Sequence, residues 1–223
     1  MAPLTVFSTR DAMMSAAARA MEEALRFGLA ARGEACIALS GGTTPEPAYH
    51  LLAQAQLPWR EITLALVDER FVPATDGASN EGMVRRAFAQ AINAGARVAP
   101  MFSGGAPSES AARADAAYAA LKFDIAVLGM GGDGHTASWF PNAPALSELL
   151  DLANPNTVVA LNAPDAVPVN DRLTLTRAAL TRADRLLLLI TGAEKRSRLE
   201  AGGAPVDALF EPQMPPCEIL YAP

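Results

Sequence analysis

Short apolar runs alternate along this chain with longer stretches of helical spacing, and that alternation constrains the fold more than any other feature. Residues 4–7, 36–39, 62–67, 123–128, 157–161 and 186–191 read as buried strands, with 218–221 as a further strand at a sheet edge. Between them, 11–32, 81–91, 108–121 and 193–200 have helical spacing, and another helix opens at Pro45. Thr9 or Ser8 is a candidate N-cap for the first helix and Gly33 its stop. Strands separated by helices of this length pair in parallel, because each crossover returns the chain to the same direction. The expectation is an α/β fold: an open, mainly parallel sheet with helices on both faces, a Rossmann-like three-layer build. Apolar residues make up 51% of the chain but aromatics only 6%. Small apolar side chains suit helices packed closely on a sheet rather than a β-sandwich. No Gly/Ser-rich linker, charge block or internal repeat divides the sequence, so residues 1–223 are expected to form one domain.

The formal net charge of −6 argues against nucleic acid or an anionic membrane as partner. It leaves room for an anionic small molecule, which needs only a local cluster of cations. Cys36 and Cys217 lie far apart with neither metal-ligand nor disulfide spacing, and are expected to be buried reduced thiols. No metal site or cofactor is expected. The N-terminus lacks a basic region followed by an apolar core, and no apolar run approaches the roughly 20 residues of a membrane span. A cytoplasmic monomer or weak homodimer is the expectation.

In open α/β sheets, ligands bind beyond the carboxyl ends of the strands. Four unusual segments fall there: 40–44, 68–70, 129–135 and 191–195. The richest is Gly129-Met130-Gly131-Gly132-Asp133-Gly134-His135, which ends a strand and delivers one of only two histidines. Its glycines let backbone approach a ligand closely, and an imidazole titrates near neutral pH. His135 is therefore the candidate catalytic group, with Asp133 beside it and Gly131 as a contact to substrate. His50, alone on a helix, reads as structural. The same run satisfies Gly-x-Gly-x-x-Gly, a dinucleotide-binding pattern. Asp133 would place negative charge where a pyrophosphate belongs, Pro141 and Pro144 interrupt the helix that should follow, and no strand precedes Asp151. That reading ranks second.

Ser40-Gly41-Gly42-Thr43-Thr44 lies between a strand and a helix whose first turn holds Pro45 and Pro47. Free N–H groups, hydroxyls and the positive helix end can cradle a phosphate. An ordinary glycine turn with Thr44 as N-cap would look alike. A further alternative is a nucleophile elbow with Ser40, Asp68 and His135 as a triad, weakened because Ala38 replaces the elbow's first glycine. Arg70, Arg172 and Lys195 each fall near or just past a strand end, where cations could grip a phosphate dianion.

These residues resemble the 6-phosphogluconolactonases, within the superfamily that also holds the glucosamine-6-phosphate isomerases. The resemblance rests on Ser40 through Pro45, Asp68 through Pro73 with Ser79-Asn80, Gly129 through Pro141, Arg172-Leu173-Thr174, and Thr191-Gly192 with Lys195. The isomerases typically carry an aromatic residue in place of Arg70 and a glutamate in place of Phe140, so the lactonase branch fits better. Related sugar-phosphate-sensing repressors add a helix-turn-helix, for which the residues before position 4 leave no room. The resemblance implies hydrolysis of 6-phospho-D-glucono-1,5-lactone. Its phosphate would rest on Gly41, Gly42, Thr43 and Thr44, with Ser40 also touching substrate and Arg70, Lys195 and Arg172 as clamps. His135 would act as base, assisted by Asp133 or Asp68, with Asp68 and Asn80 at the sugar hydroxyls.

Overall fold

The computed structural model describes residues 3–223. The chain opens with strand β1 (Leu4–Val6) and the long helix α1 (Arg10–Arg32). The Thr9 hydroxyl accepts the Ala12 N–H at 3.2 Å, and Gly33 closes α1 in the left-handed region at φ 79°. Met13, Met14, Ala17, Met21, Ala24, Leu25 and Gly28 recur at helical spacing and form the buried face of α1. There follow β2 (Ala35–Leu39), α2 (Glu46–Leu52), β3 (Ile62–Leu66), β4 (Asp68–Arg70), α3 (Asn80–Ala87), α4 (Ala89–Asn93) and β5 (Arg97–Val98). The second half comprises α5 (Pro107–Tyr118), β6 (Ile125–Gly129), α6 (Leu146–Leu150), β7 (Val158–Asn162), β8 (Asp171–Leu175) and α7 (Arg177–Leu180). It ends with β9 (Leu186–Thr191), α8 (Ala193–Ala201), a 3₁₀ segment (Pro205–Phe210) and β10 (Cys217–Ala222).

Seven strands form one sheet in the order β1-β10-β9-β6-β2-β3-β5, every pair parallel. Helices cover it, which is why β2 is buried at all five positions and β9 reads as an unbroken apolar run. The winding reverses between β2 and β6: from β2 the chain steps outward through β3 and β5, then returns to β6 and steps the other way. Such a reversal leaves a crevice at the carboxyl ends of the two adjacent strands, where loops diverge. The turn after β2 and the glycine loop after β6 open side by side there, joined by the Ser40 N–H to Val127 carbonyl bond at 3.0 Å.

The α/β class and the parallel sheet flanked by helices are as the sequence indicates, with local corrections. The 218–221 strand is not an edge: β10 lies between β1 and β9. Residues 68–70 do not merely end β3. They form β4, part of a second, antiparallel sheet in the order β4-β8-β7. The helix expected over 81–91 is two, broken at Phe88. Pro45, not Thr44, is the N-cap of α2, and no side chain caps that helix. Both thiols are free and buried. No helix among the described residues is long and apolar enough to cross a membrane.

Candidate active site

A cavity of about 250 Å³ opens at the crevice between β2 and β6. Its wall includes Ser40, Gly41, Gly42, Thr43, Thr44, Asp68, Arg70, Asn80, Gly131, His135, Arg172 and Lys195. Each was a candidate from sequence. Asp133 is the exception, since it does not line the cavity and touches His135 from behind. Pro45, Gly129, Met130, Ala137 and Leu189 complete the lining.

The second sheet supplies one wall, and its register explains which side chains face inward. Asp68 pairs with Thr174 and Arg70 with Arg172 across the antiparallel β4–β8 ladder. Alternation puts Asp68 and Arg70 on one face and Glu69 on the other. Like charges directly opposite on a sheet are destabilising, so an Arg70–Arg172 pair is a local conflict that an anion between the two guanidinium groups would relieve. Arg172 is 3% exposed, and burial lowers its pKa from the ordinary guanidinium value. Its Nε donates to the Val169 carbonyl at 2.8 Å and an Nη to the Val167 carbonyl at 3.2 Å. Arg70 donates to the Ala78 carbonyl at 2.6 Å, and its buried Nε has no partner among the described residues. Arg172, expected near a strand end, is the second residue of β8, in the antiparallel sheet.

Glu69, turned away from the cavity and 0% exposed, organises this wall from behind. Its carboxylate accepts the N–H groups of Arg70, Asn80 and Glu81 at 2.6–2.7 Å and the Ser79 hydroxyl at 2.9 Å. It thus caps α3 and ties β4 to it. Burial pushes the carboxyl upward from the usual range, against the pull of the four donors. Asn80, so fixed, donates to the Asp68 carbonyl at 2.8 Å and carboxylate at 3.1 Å. Ser138 donates to the other Asp68 oxygen at 2.6 Å. Gly41 must be glycine, because a Cβ there would fall 1.8 Å from Asn80 Oδ1.

The opposite wall is the loop after β6. His135 Nδ1 lies 2.6 Å from Asp133 Oδ1, which also accepts the His135 backbone N–H at 3.1 Å. An ionised carboxylate only accepts, so Nδ1 carries the proton and Nε2 is the basic nitrogen of the neutral ring. The loop is braced from outside the cavity. Arg198 of α8 donates to the Asp133 carbonyl at 3.3 Å, and Val206 of the 3₁₀ segment donates to the Gly134 carbonyl at 3.1 Å. Ala137, at φ 51°, is the one non-glycine residue with positive φ among those described. Such a conformation costs about 1–3 kcal/mol. Bonds on either side hold it: Thr136 Oγ1 to the Gly129 carbonyl at 2.8 Å, and the Ser138 N–H to Thr174 Oγ1 at 3.2 Å.

Lys195 enters from the first turn of α8, after Gly192 at φ 87°. Its ammonium makes no hydrogen bond or ion pair among the described residues, and desolvation, with the charge of Arg10, lowers its pKa. The triad alternative does not assemble. Ser40 Oγ is buried without a partner among the described residues, Asp68 is bonded to Ser138 and Asn80, and Ser40 lacks the positive φ of an elbow. The dinucleotide alternative fails as well, since the next helix, α6, begins only at Leu146 and Asp151 follows that helix rather than a strand. Sequence reasoning gave no role to Ser138, Arg198 or Ala137. Two hold the site through long-range bonds, and the third is marked only by its backbone angle.

A parallel sheet bearing a cation-walled cavity and a carboxylate-backed imidazole at its winding reversal is the build of an α/β enzyme. Residues 8–220 match the family model described as glucosamine-6-phosphate isomerases/6-phosphogluconolactonase. A 6-phosphogluconolactonase of Caulobacter vibrioides is 43% identical, with 98% of this chain and 97% of the relative covered. One from Mesorhizobium japonicum is 37% identical over 97% of this chain and 94% of that protein. The crystal structure of a 6-phosphogluconolactonase from Shewanella baltica superposes with a TM-score of 0.92 at 28% identity, covering 100% of this chain and 98% of the other. The chain belongs to the glucosamine-6-phosphate isomerase/6-phosphogluconolactonase family, and within it is a hydrolase of the 6-phosphogluconolactonase kind.

Proposed function

We propose that the chain hydrolyses 6-phospho-D-glucono-1,5-lactone to 6-phospho-D-gluconate, the lactone-opening step of the oxidative pentose phosphate pathway. The phosphate rests on the turn from Gly41 to Thr44 and is gripped by Arg70, Arg172 and Lys195. Each charge-assisted hydrogen bond contributes about 1.5–3 kcal/mol, enough in sum to hold a dianion on a chain of negative net charge. Ser40, Asp68, Asn80 and Gly131 contact the sugar. This arrangement sets C1 beside the imidazole.

Neutral His135 takes a proton at Nε2 from a water molecule as its oxygen attacks C1. Asp133 orients the ring and offsets the positive charge that forms. Collapse of the tetrahedral intermediate breaks the bond from C1 to the ring oxygen, and the imidazolium returns a proton to that oxygen as it leaves. Acid–base assistance of this kind supplies about 10²–10⁴-fold, and fixed orientation adds to it. The observation that carries the reading is the His135 ring, held 2.6 Å from Asp133, on the same cavity as the facing Arg70–Arg172 pair.

The test generates the lactone in place with glucose-6-phosphate dehydrogenase and follows acid release with and without the protein. His135→Ala should lose at least 10²-fold in kcat while binding 6-phosphogluconate as the native protein does. Native turnover by that variant would overturn the role of His135, and no acceleration by the native protein would overturn the substrate.

A further inference from the structure

One hydrogen bond fixes an atom but not a plane. The His135 imidazole, held through Nδ1 by Asp133, remains free to rock about that bond, and rocking carries Nε2 off line. The Phe140 ring supplies the missing restraint. Its centroid lies 4.2 Å from that of the imidazole with the planes tilted by 31°, so the two rings touch across their faces at an angle. Phe140 is 6% exposed, so its ring is fixed within the protein. The Arg172 guanidinium carbon lies 5.6 Å from the same ring centroid, so one aromatic ring touches both the imidazole and a cation of the phosphate wall.

The backbone makes this pairing unusual and rigid. His135 and Phe140 are five residues apart, a spacing that brings side chains together on neither a helix nor a strand. Between them Ala137 has φ 51° and the Trp139 N–H donates to the Thr136 carbonyl at 3.0 Å, a tight turn that lies between the two rings in sequence. Phe140 is then held from both sides. The neighbouring Trp139, 0% exposed, donates its indole N–H to the Leu175 carbonyl at 2.9 Å, and the Ala143 N–H donates to the Phe140 carbonyl at 3.1 Å.

We propose that Phe140 is a positioning residue: its ring face sets the plane of the His135 imidazole, keeping Nε2 in line with the attacking water while Nδ1 stays on Asp133. The proposal rests on His135 acting as base, and its tests separate the two. Phe140→Leu keeps apolar bulk but removes the flat face. It should lower kcat about tenfold, a fraction of the 10²-fold that a misplacement of about 1 Å can cost, with KM and 6-phosphogluconate affinity changed by less than kcat because Arg172 keeps its own backbone partners. Phe140→Met, which fills the volume with a flexible chain, should do the same and serves where the leucine variant folds poorly.

A spectroscopic readout needs no folded variant of Phe140. The chain has two histidines, of which His50 is exposed, and His135→Ala assigns their ring C–H proton signals. In the native protein the His135 signal should lie upfield of the His50 signal through the Phe140 ring current. In the Phe140 variants it should move toward it. A native His135 signal at the unstacked position overturns the proposal. So does unchanged kcat in Phe140→Leu, or a loss shared equally by kcat, KM and product affinity, which would mark Phe140 as merely structural. Full activity in His135→Ala would instead remove the base assignment beneath it.

Discussion

A single methyl group at position 131 tests the catalytic geometry with the histidine itself left in place. A Cβ built on Gly131 falls 2.2 Å from His135 Cε1, 2.3 Å from Nδ1 and 2.7 Å from Asp133 Oδ1. Ordinary contact begins at 3.4 Å, so in Gly131→Ala the imidazole must recede by about 1.2 Å. The backbone at 131 is not in the left-handed region, so alanine adds no conformational strain of its own. The ring sits at the end of a side chain that is 28% exposed, so it yields toward solvent at the expense of its Asp133 bond and its Phe140 contact rather than of the fold. The fold tolerates the change, but the chemistry does not. A displacement of about 1 Å costs on the order of 10²-fold in rate, or about 2.7 kcal/mol at about 1.36 kcal/mol per decade. Gly132→Ala is the internal control, because a Cβ there meets nothing within 4 Å and its φ is not positive. The coupled lactone assay should show kcat falling about 10²-fold in Gly131→Ala and less than twofold in Gly132→Ala, with melting temperatures close to native in both. Wild-type kcat in Gly131→Ala would refute the placement of His135 at the reacting carbon.

Three further outcomes follow from the same geometry. The Lys195 pKa is lowered, so the ammonium loses its charge at lower pH than an ordinary lysine. Calorimetric affinity for 6-phosphogluconate should therefore weaken with rising pH from below the usual lysine range, and Lys195→Arg should flatten that dependence; a native affinity constant up to pH about 10 would contradict the role. Glu69→Ala leaves the Arg70, Asn80 and Glu81 N–H groups without their acceptor. At about 1–3 kcal/mol per orphaned group, and with water restoring part, urea unfolding should report a loss of about 3 kcal/mol; a loss within experimental error would mean the cap is dispensable. Burial raises the Cys36 thiol and pushes Cys217 to about 12, so neither should react rapidly with a thiol reagent at pH 8 until the protein unfolds. A fast-reacting native thiol would contradict that burial.

The sequence alone determined features that depend on near neighbours. The alternation of strand and helix specifies a parallel sheet because hydrophobic period and crossover length are local quantities. The caps at Thr9 and Gly33, the glycine loop and the membership of His135, Lys195 and the 40–44 turn in one crevice were legible for the same reason. Parallel strands all deliver their following loops to one end of the sheet.

Tertiary structure decided whatever depends on partners distant in sequence. Strand β4, three residues long, has no periodicity to read, and its existence rests on pairing with the distant β8, Asp68 with Thr174 and Arg70 with Arg172. That pairing sets Arg70 opposite Arg172 and turns Glu69 to the cap of α3, neither of which residue types or spacing reveal. Whether β10 is edge or interior depends on the lateral order of strands, as the pairing of β1 beside it shows. Asp133 read from sequence only as a carboxylate beside His135; the fold of the loop sets its Oδ1 2.6 Å from Nδ1, where it selects the tautomer. Chemistry was written in residue types; its aim was set by long-range contacts, because direction in space is a property of packed elements and not of any short stretch of chain.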